Sequence, residues 1–335
     1  MAQGFSPGHA AEIAAYLDQS TDIAPEFDAI AQACEARGFG FRPVDLGEAP
    51  TLFAAFDPAR TLVWTLTDGI QFFRGSTAPA LARLHGISTF GSDDSLFALC
   101  QDKFRSGAVL RALGLPVPPA GLSRDGEWLV PPPPAPDGFF VKPNRLGAKI
   151  GIWEDSRCRG QAEALSLSRR IFAAYRDETV VQAYVPGRNI RASFLAVEPQ
   201  AGAERLGLSI VDSGGDFQTM TDSLALSGAK GTEAAAMGLR QDPRLEPVVA
   251  TQPEADRRIR THAAKLMGAL GLRDVFSLDW RVEGDGTVHL LEFEVCPGLP
   301  YFDFMTYVRE EWGLGLAQAM AEAAARKFEG QAASA

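Results

Sequence analysis

Leu278-Asp279-Trp280, a Gly284-Asp285-Gly286 turn, and Leu291-Glu292-Phe293-Glu294-Val295-Cys296-Pro297-Gly298 decide the reading of this chain. Taken as neighbouring strands, they carry Asp279, Glu292 and Glu294 toward one place. Residues two apart on a strand share a face, so Glu292 and Glu294 point the same way. Carboxylates crowded on one patch repel each other unless cations hold them. Hard oxygen donors of this kind suit magnesium beside a nucleotide. A solvated acidic hairpin is the alternative, since Asp and Glu are mostly exposed. The intervening Phe276, Leu278, Leu290, Leu291, Phe293 and Val295 argue instead for a sheet buried on its other face.

Working outward, a Pro253–Leu270 amphipathic helix precedes the strand pair and is closed by Gly271. A helix near 313–327 follows, and 328–335 reads as a frayed tail. Upstream, residues 213–251 are rich in Gly, Ser, Thr and Asp with little periodicity, and a loop that long in a compact fold is usually functional or disordered. Strands are expected at 189–197 and 206–212, at Thr179–Tyr184 and at Phe139–Lys142, with a helix over 162–176 between the last two. A helical stretch runs from Gly91-Ser92-Asp93-Asp94-Ser95 through Cys100 to Leu113. The first 95 residues alternate helix (9–18, 25–37, Ser76–His85) with strand (Phe41–Leu46, Thr61–Thr67), which predicts a small α/β unit with a parallel sheet. Three units follow: 1–95, 96–185 and 186–330.

The totals set limits. A length of 335 residues favours two or three subdomains. A hydrophobic fraction of 46% and a charged fraction of 22% are those of an ordinary globular protein. The net charge of -10 argues against a general nucleic-acid binder, so any phosphate chemistry must be local. Cys34, Cys100, Cys158 and Cys296 are scattered and suggest a reducing compartment. No signal peptide or membrane-length apolar run is evident, and the expectation is a cytoplasmic protein.

Three weaker motifs gain meaning from their order. Lys103 opens a helix. Val141-Lys142-Pro143-Asn144-Arg145-Leu146-Gly147-Ala148-Lys149-Ile150-Gly151 is a strand entering a glycine-punctuated turn, where Lys142 can neutralise phosphate and Gly147 and Gly151 admit close backbone approach. Gln182-Ala183-Tyr184-Val185-Pro186-Gly187-Arg188-Asn189 is a strand, a hinge and a strand start, a frame that suits a flat heterocycle. Each alone reads equally as ordinary structure: a hairpin, a solvated lysine, a strand connection.

In this order, followed by the long loop and the acidic strands, the motifs resemble the ATP-grasp superfamily and look most like its D-alanine–D-alanine ligase group, over roughly residues 60 to 327. The resemblance implies an α/β (α+β) ATP-grasp fold: a small N-terminal parallel domain, a central lid subdomain and a C-terminal subdomain. It implies that Lys103 and Lys142 contact the α/β phosphates, that Gly147 to Gly151 cover them, and that Lys149 stands with Ala148 where the ligases have a serine pair. Gln182 would face the adenine amino group, Tyr184 and Val185 would supply hinge backbone, and Asn189 would stand where a glutamate holds the ribose. Lys230 would reach the γ-phosphate from the closing loop. Asp279, Glu292 and Glu294 would bind two magnesium ions, with manganese as a substitute.

Departures bear on the substrate. The ligases' oxyanion arginine, two residues before the metal aspartate, is Ser277 here, with Arg281 or Arg191 as candidate replacements. Gly298 precedes the acceptor region, where Asp303 occupies the place of a serine near the acceptor carboxylate. The expected activity is ATP-dependent joining of a small carboxylate and an amine through an acyl phosphate, without nucleic-acid or membrane partners and with a homodimer possible. A diverged D-alanine–D-alanine ligase and a nucleotide binder that has lost ligation are the alternatives. Cys296, His85 and His289 read as structural.

Overall fold

The computed structural model describes residues 23–67, 74–212, 215–219 and 244–332. The helix expected over 9–18, Lys230 and most of the 213–251 loop lie outside the described residues.

The N-terminal part contains α1 (Phe27–Ala36), α2 (Ala49–Ala55), β1 (Leu62–Trp64), α3 (Thr77–Leu84) and β2 (Ser88–Phe90). Strands β1 and β2 pair in parallel, as the alternation predicts. No strand forms at Phe41–Leu46. Pro43 removes a ladder donor there, and residues 41–45 carry no regular structure before a turn at Leu46.

Next, α4 (Asp94–Cys100) and α5 (Lys103–Ala112) replace the single helix expected to reach Leu113. The break has a cause in the sequence. Asp102 leaves helical geometry to accept from Arg105 N–H at 3.0 Å, an N-cap that starts a second helix.

A five-stranded antiparallel sheet follows, formed by β3 (Ala120–Arg124), β4 (Glu127–Val130), β5 (Phe139–Pro143), β6 (Arg157–Cys158) and β7 (Thr179–Ala183), in the order β4-β3-β7-β5-β6. Helix α6 (Gln161–Tyr175) covers one face, burying Leu167 and Ile171 against Val141 and Val181.

The second five-stranded sheet has the order β10-β9-β8-β11-β12, every pair antiparallel, from β8 (Arg188–Leu195), β9 (Gly207–Asp212), β10 (Arg244–Pro247), β11 (Val275–Val282) and β12 (Val288–Glu294). Short α7 (Val248–Thr251) leads into α8 (Pro253–Leu270), which starts with Pro at its first turn and ends at Gly271 in the left-handed region, φ +78°. Its Ile259, Ala263 and Leu266 pack on a sheet face built from Phe194, Phe276, Leu278 and Trp280. Phe194 and Phe276 stack at 4.7 Å between centroids.

The chain closes with α9 (Phe302–Trp312), which the sequence reading does not anticipate, and α10 (Leu316–Ala332), which runs through most of the expected frayed tail. Helix α10 is held because it is anchored: Arg326 and Lys327 both bond the buried Asp274 carboxylate at 2.7 Å. The same carboxylate accepts from Gly91 N–H at 3.1 Å, so one side chain ties β11, the β2 end and the last helix together. Among the described residues, no helix is long and apolar enough to cross a membrane.

Candidate active site

The cleft between the two large sheets collects most of the candidate residues. On β11 the side chains alternate. Phe276, Leu278, Trp280 and Val282 face the α8 core, while Ser277, Asp279 and Arg281 face the cleft. Across the ladder, Asp279 is directly opposite Glu292 on one side and Arg191 on the other. A bulge between Asp279 and Trp280 leaves Leu291 as an extra residue on β12. Leu291 therefore does not join the core face, as simple alternation would have it, but lines the cleft.

Two cations hold the facing acids. Lys142 Nζ donates to Glu292 Oε2 at 2.9 Å, joining the two sheets, and Arg191 Nε lies 3.1 Å from Asp279 Oδ1. Burial pushes both carboxyls up. At Glu292 the charges of Lys142, Lys103 and Arg191 outweigh burial and hold it below the ordinary carboxylate range. At Asp279 burial and the repulsion of Glu292 prevail over Arg191 and Lys142, and it lies above that range.

Two carboxylates with oxygen donors exposed to a cleft fit magnesium, which takes one or two protein carboxylates and keeps water or phosphate in its remaining positions. The third expected acid is elsewhere engaged. Glu294 Oε1 accepts from Cys296 N–H at 3.0 Å and lies 3.7 Å from Cys100 Sγ. Among the described residues no three acidic, His or Cys side chains converge closely enough to hold a metal. The structure thus brings together a pair of acids, with Glu294 beside them on the same face.

The two candidate arginines separate clearly. Arg281 Nε donates to Val185 O at 3.0 Å and its Nη1 to Asn189 Oδ1 at 2.9 Å, so it belongs to the hinge end of the cleft and not to the carboxylate pair. Arg191 takes the position beside the acids. Its Nη1 lies 3.3 Å from Ser277 Oγ, and its Nε lies 3.4 Å from Asp303 Oδ2 in the first turn of α9. The small side chain at Ser277 leaves the room into which Arg191 reaches from the neighbouring strand.

The glycine turn after β5 is tied down at its base. Buried Asp177 accepts from Arg145 N–H at 2.7 Å and Arg145 Nε at 3.0 Å, and Lys103 Nζ donates to Leu146 O at 2.7 Å. Gly151 is required by packing: at φ +73° a Cβ would sit 2.6 Å from Pro143 Cγ and 2.9 Å from Tyr175 Cε2. At Gly147 a Cβ meets open space, so crowding does not explain that glycine. Lys149, itself at φ +62°, bonds Gln218. Gly298 makes way for the Tyr301 ring, 2.3 Å from where a Cβ would be.

At the hinge end, Gln182, Tyr184, Val185 and Asn189 line a pocket with Phe140, Phe217 and Leu291. Phe217 meets Phe140 edge-on at 5.1 Å. Tyr184 N–H already donates to Gly138 O at 3.0 Å, so it is not among the hinge groups open to a ligand. The sequence reading misses Phe140, Phe217 and Leu291. They lie far apart in the chain, and only the bulge brings Leu291 into the pocket. Of the residues read as structural, His289 pairs with Glu283 at 2.7 Å, and the Cys296 thiol contacts Thr65 O at 3.4 Å.

No family model matches the chain. It is 25% identical over 243 residues to a putative D-alanine–D-lactate ligase of Streptomyces coelicolor, an alignment covering 71% of this chain and 64% of that protein. It is 27% identical over 229 residues to a D-alanine–D-alanine ligase of a Synechococcus species, covering 64% and 60%. The chain therefore spans somewhat less than two thirds of the length of these curated relatives. Its fold is similar to the crystal structure of a D-alanine–D-alanine ligase from Bacillus anthracis, with a TM-score of 0.63 at 17% identity, covering 92% of this chain and 96% of that one.

Proposed function

Because the chain has the ATP-grasp fold and is most like the D-alanine–D-alanine ligase group, we propose that it is an ATP-dependent carboxylate–amine ligase working through an acyl phosphate. The observation that carries the proposal is the pair of charge bridges Lys142–Glu292 and Arg191–Asp279, set across one strand pair and below a ring-lined pocket. A solvated acidic edge would not hold its carboxylates against two largely buried or half-buried cations.

In this reading the base occupies the Phe140, Phe217, Leu291 pocket with its edge toward Gln182. Lys142 and Lys103 face the phosphates, with Gly147 to Gly151 and Lys149 above them, and Lys230 is assigned to the closing loop. Magnesium, two ions, held by Asp279 and Glu292 with Glu294 nearby, supplies charge neutralisation to the triphosphate. The substrate carboxylate attacks the γ-phosphorus, and ADP leaves. The amine then attacks the acyl carbonyl, and phosphate is the leaving group. Arg191 is placed to stabilise the oxyanion of that second step, the duty left open by Ser277. Exclusion of water protects the acyl phosphate meanwhile.

The Arg191 position removes one objection to D-alanyl-D-alanine synthesis, since a guanidinium stands beside the acids after all. The objection from Asp303 stands. Lying 3.4 Å from Arg191, its carboxylate competes for the cation an acceptor carboxylate would use. We assign the acceptor to amines without a carboxylate at that end. The units 1–95, 96–185 and 186–330 are proposed as the N-terminal, lid and catalytic parts, in a cytoplasmic enzyme.

The test is ADP and phosphate release with magnesium and ATP across amino acids and amines, singly and in pairs, D-alanine included, with mass detection. A pair-dependent product one water lighter than its components establishes the ligase and names its substrates. ATP binding without turnover on any pair would favour the degenerate binder.

A further inference from the structure

We propose that Asp216 is a nucleotide-recognition residue, its carboxylate accepting a hydroxyl of the sugar; the inference rests on the cleft being an ATP site. Position follows from the ladder. Arg281 is opposite Asn189 on β8, and Asp279 is opposite Arg191. These two cross-strand pairs are two residues, roughly 7 Å, apart on one face. The ring-lined pocket is at the hinge, and the Lys142–Glu292 bridge marks the phosphate end. Asn189 and Arg281 line that pocket on the side toward the acid pair, where the sugar joined to a bound base would lie.

Asn189 Oδ1 accepts from Arg281 Nη1 at 2.9 Å and keeps one lone-pair direction, but as a neutral amide it is a weaker acceptor for a hydroxyl than a carboxylate. Arg281 itself has nothing left to offer. It is 5% exposed, and its five N–H donors are matched by Val185 O, Asn189 Oδ1, Tyr184 OH, Asp216 O at 2.8 Å and Asp216 Oδ1 at 3.0 Å. Two of those five bonds go to a single residue from the long loop. The guanidinium is a socket for Asp216.

Asp216 is also held from outside. Its Oδ2 accepts from the Tyr184 hydroxyl and from Arg157 Nη1 at 3.1 Å, and the Arg157 guanidinium lies over the Tyr184 ring at 4.0 Å. The next residue, Phe217, closes the ring pocket. These contacts leave Oδ1 with one bond and a second lone-pair direction, on a side chain 39% exposed. A positioned, ionised acceptor with one open direction is what a sugar hydroxyl needs. Arg281 acts as its positioning residue.

The test is titration calorimetry on the full chain with magnesium, using ATP, 2′-deoxy-ATP and 3′-deoxy-ATP, for wild type, Asp216→Ala and Asp216→Asn. Thermal unfolding of each variant checks the fold. We expect wild type to prefer ATP over at least one deoxy analogue by about tenfold, the worth of a hydrogen bond to a charged group. Asp216→Ala should bind ATP about tenfold more weakly and lose that preference. Asp216→Asn, which keeps the shape, should lose most of it too. Retained preference in both variants, even with weaker binding, would reduce Asp216 to a structural strap and overturn the proposal. Equal binding of all three nucleotides by wild type would overturn it while leaving the ATP site intact. Failure of wild type to bind ATP would remove the functional reading itself.

Discussion

Exchanging the arginine between strands tests whether Arg191 does the work that Ser277 cannot. In Arg191→Ser the guanidinium that lies 3.1 Å from Asp279 and 3.4 Å from Asp303 disappears. At the effective dielectric of a partly wetted site each contact is worth about 5 kcal/mol gross. Arg191 and Asp279 are each about one-third exposed, at 35% and 29%, so desolvation and screening return most of that. A loss of roughly 1–2 kcal/mol in folding stability remains. The catalytic effect should be larger. Removing a donor aimed at a developing oxyanion costs about 10²–10³ in kcat, or ~3–4 kcal/mol. Ser277→Arg alone should also fail, because Ser277 is 2% exposed and pressed 3.3 Å from Arg191. In the double variant the new side chain enters the space that Arg191 vacates, and turnover should recover at least tenfold over Arg191→Ser. The assay is kcat and KM for ADP release with the substrate pair that the product screen identifies, beside urea unfolding of each variant. Turnover of Arg191→Ser within threefold of wild type, or a double variant no better than the worse single one, would refute the argument.

Glu292→Gln should lose turnover with an unchanged near-UV circular dichroism spectrum, because Lys142 keeps a partner of the same shape while the cleft loses a charge; retained activity would remove Glu292 from the metal site. Asp274→Ala leaves Arg326, Lys327 and Gly91 N–H without their shared acceptor and puts alanine at φ +60°, so guanidinium unfolding should report a loss of about 3–5 kcal/mol. Gly151→Ala should cost about 1–3 kcal/mol from its φ and the clash with Pro143, while Gly147→Ala should be within ~0.5 kcal/mol of wild type; equal effects at the two sites would falsify the distinction.

How legible these features are depends on whether the determining contact is local. The β11–β12 carboxylates, the α8 stripe and the β5 strand carry their own periodicity, and the structure has all three. The β3–β4 hairpin has a local signal too: Asp125-Gly126, with both residues at positive φ, is the strongest two-residue turn signal a chain can carry. Pro43 spoke against a strand at Phe41–Leu46 in the same local way. Other features have no local trace. Helix α10 persists because Asp274, some fifty residues earlier, receives its basic side chains. Arg191 and Arg281 look interchangeable in the sequence; only strand pairing sends one to the acids and the other to the hinge.

The extra residue on β12 has a consequence for changes of chain length. Opposite Trp280 and Asp279 stand Leu290 and Glu292, one facing the core and the other the cleft, as in a regular ladder from which Leu291 has been left out. Deleting Leu291 would therefore close the ladder with every other side chain on its present face. Deleting Leu290 gives the same chain, since both residues are leucine, whereas deleting Glu292 would put Leu291 in the cleft-facing place opposite Asp279 and lose an acid. The strand reads as a complete scaffold with one residue inserted to floor the pocket. Ring binding and acid placement in this fold can thus vary separately, the first by insertion and deletion, the second only by substitution.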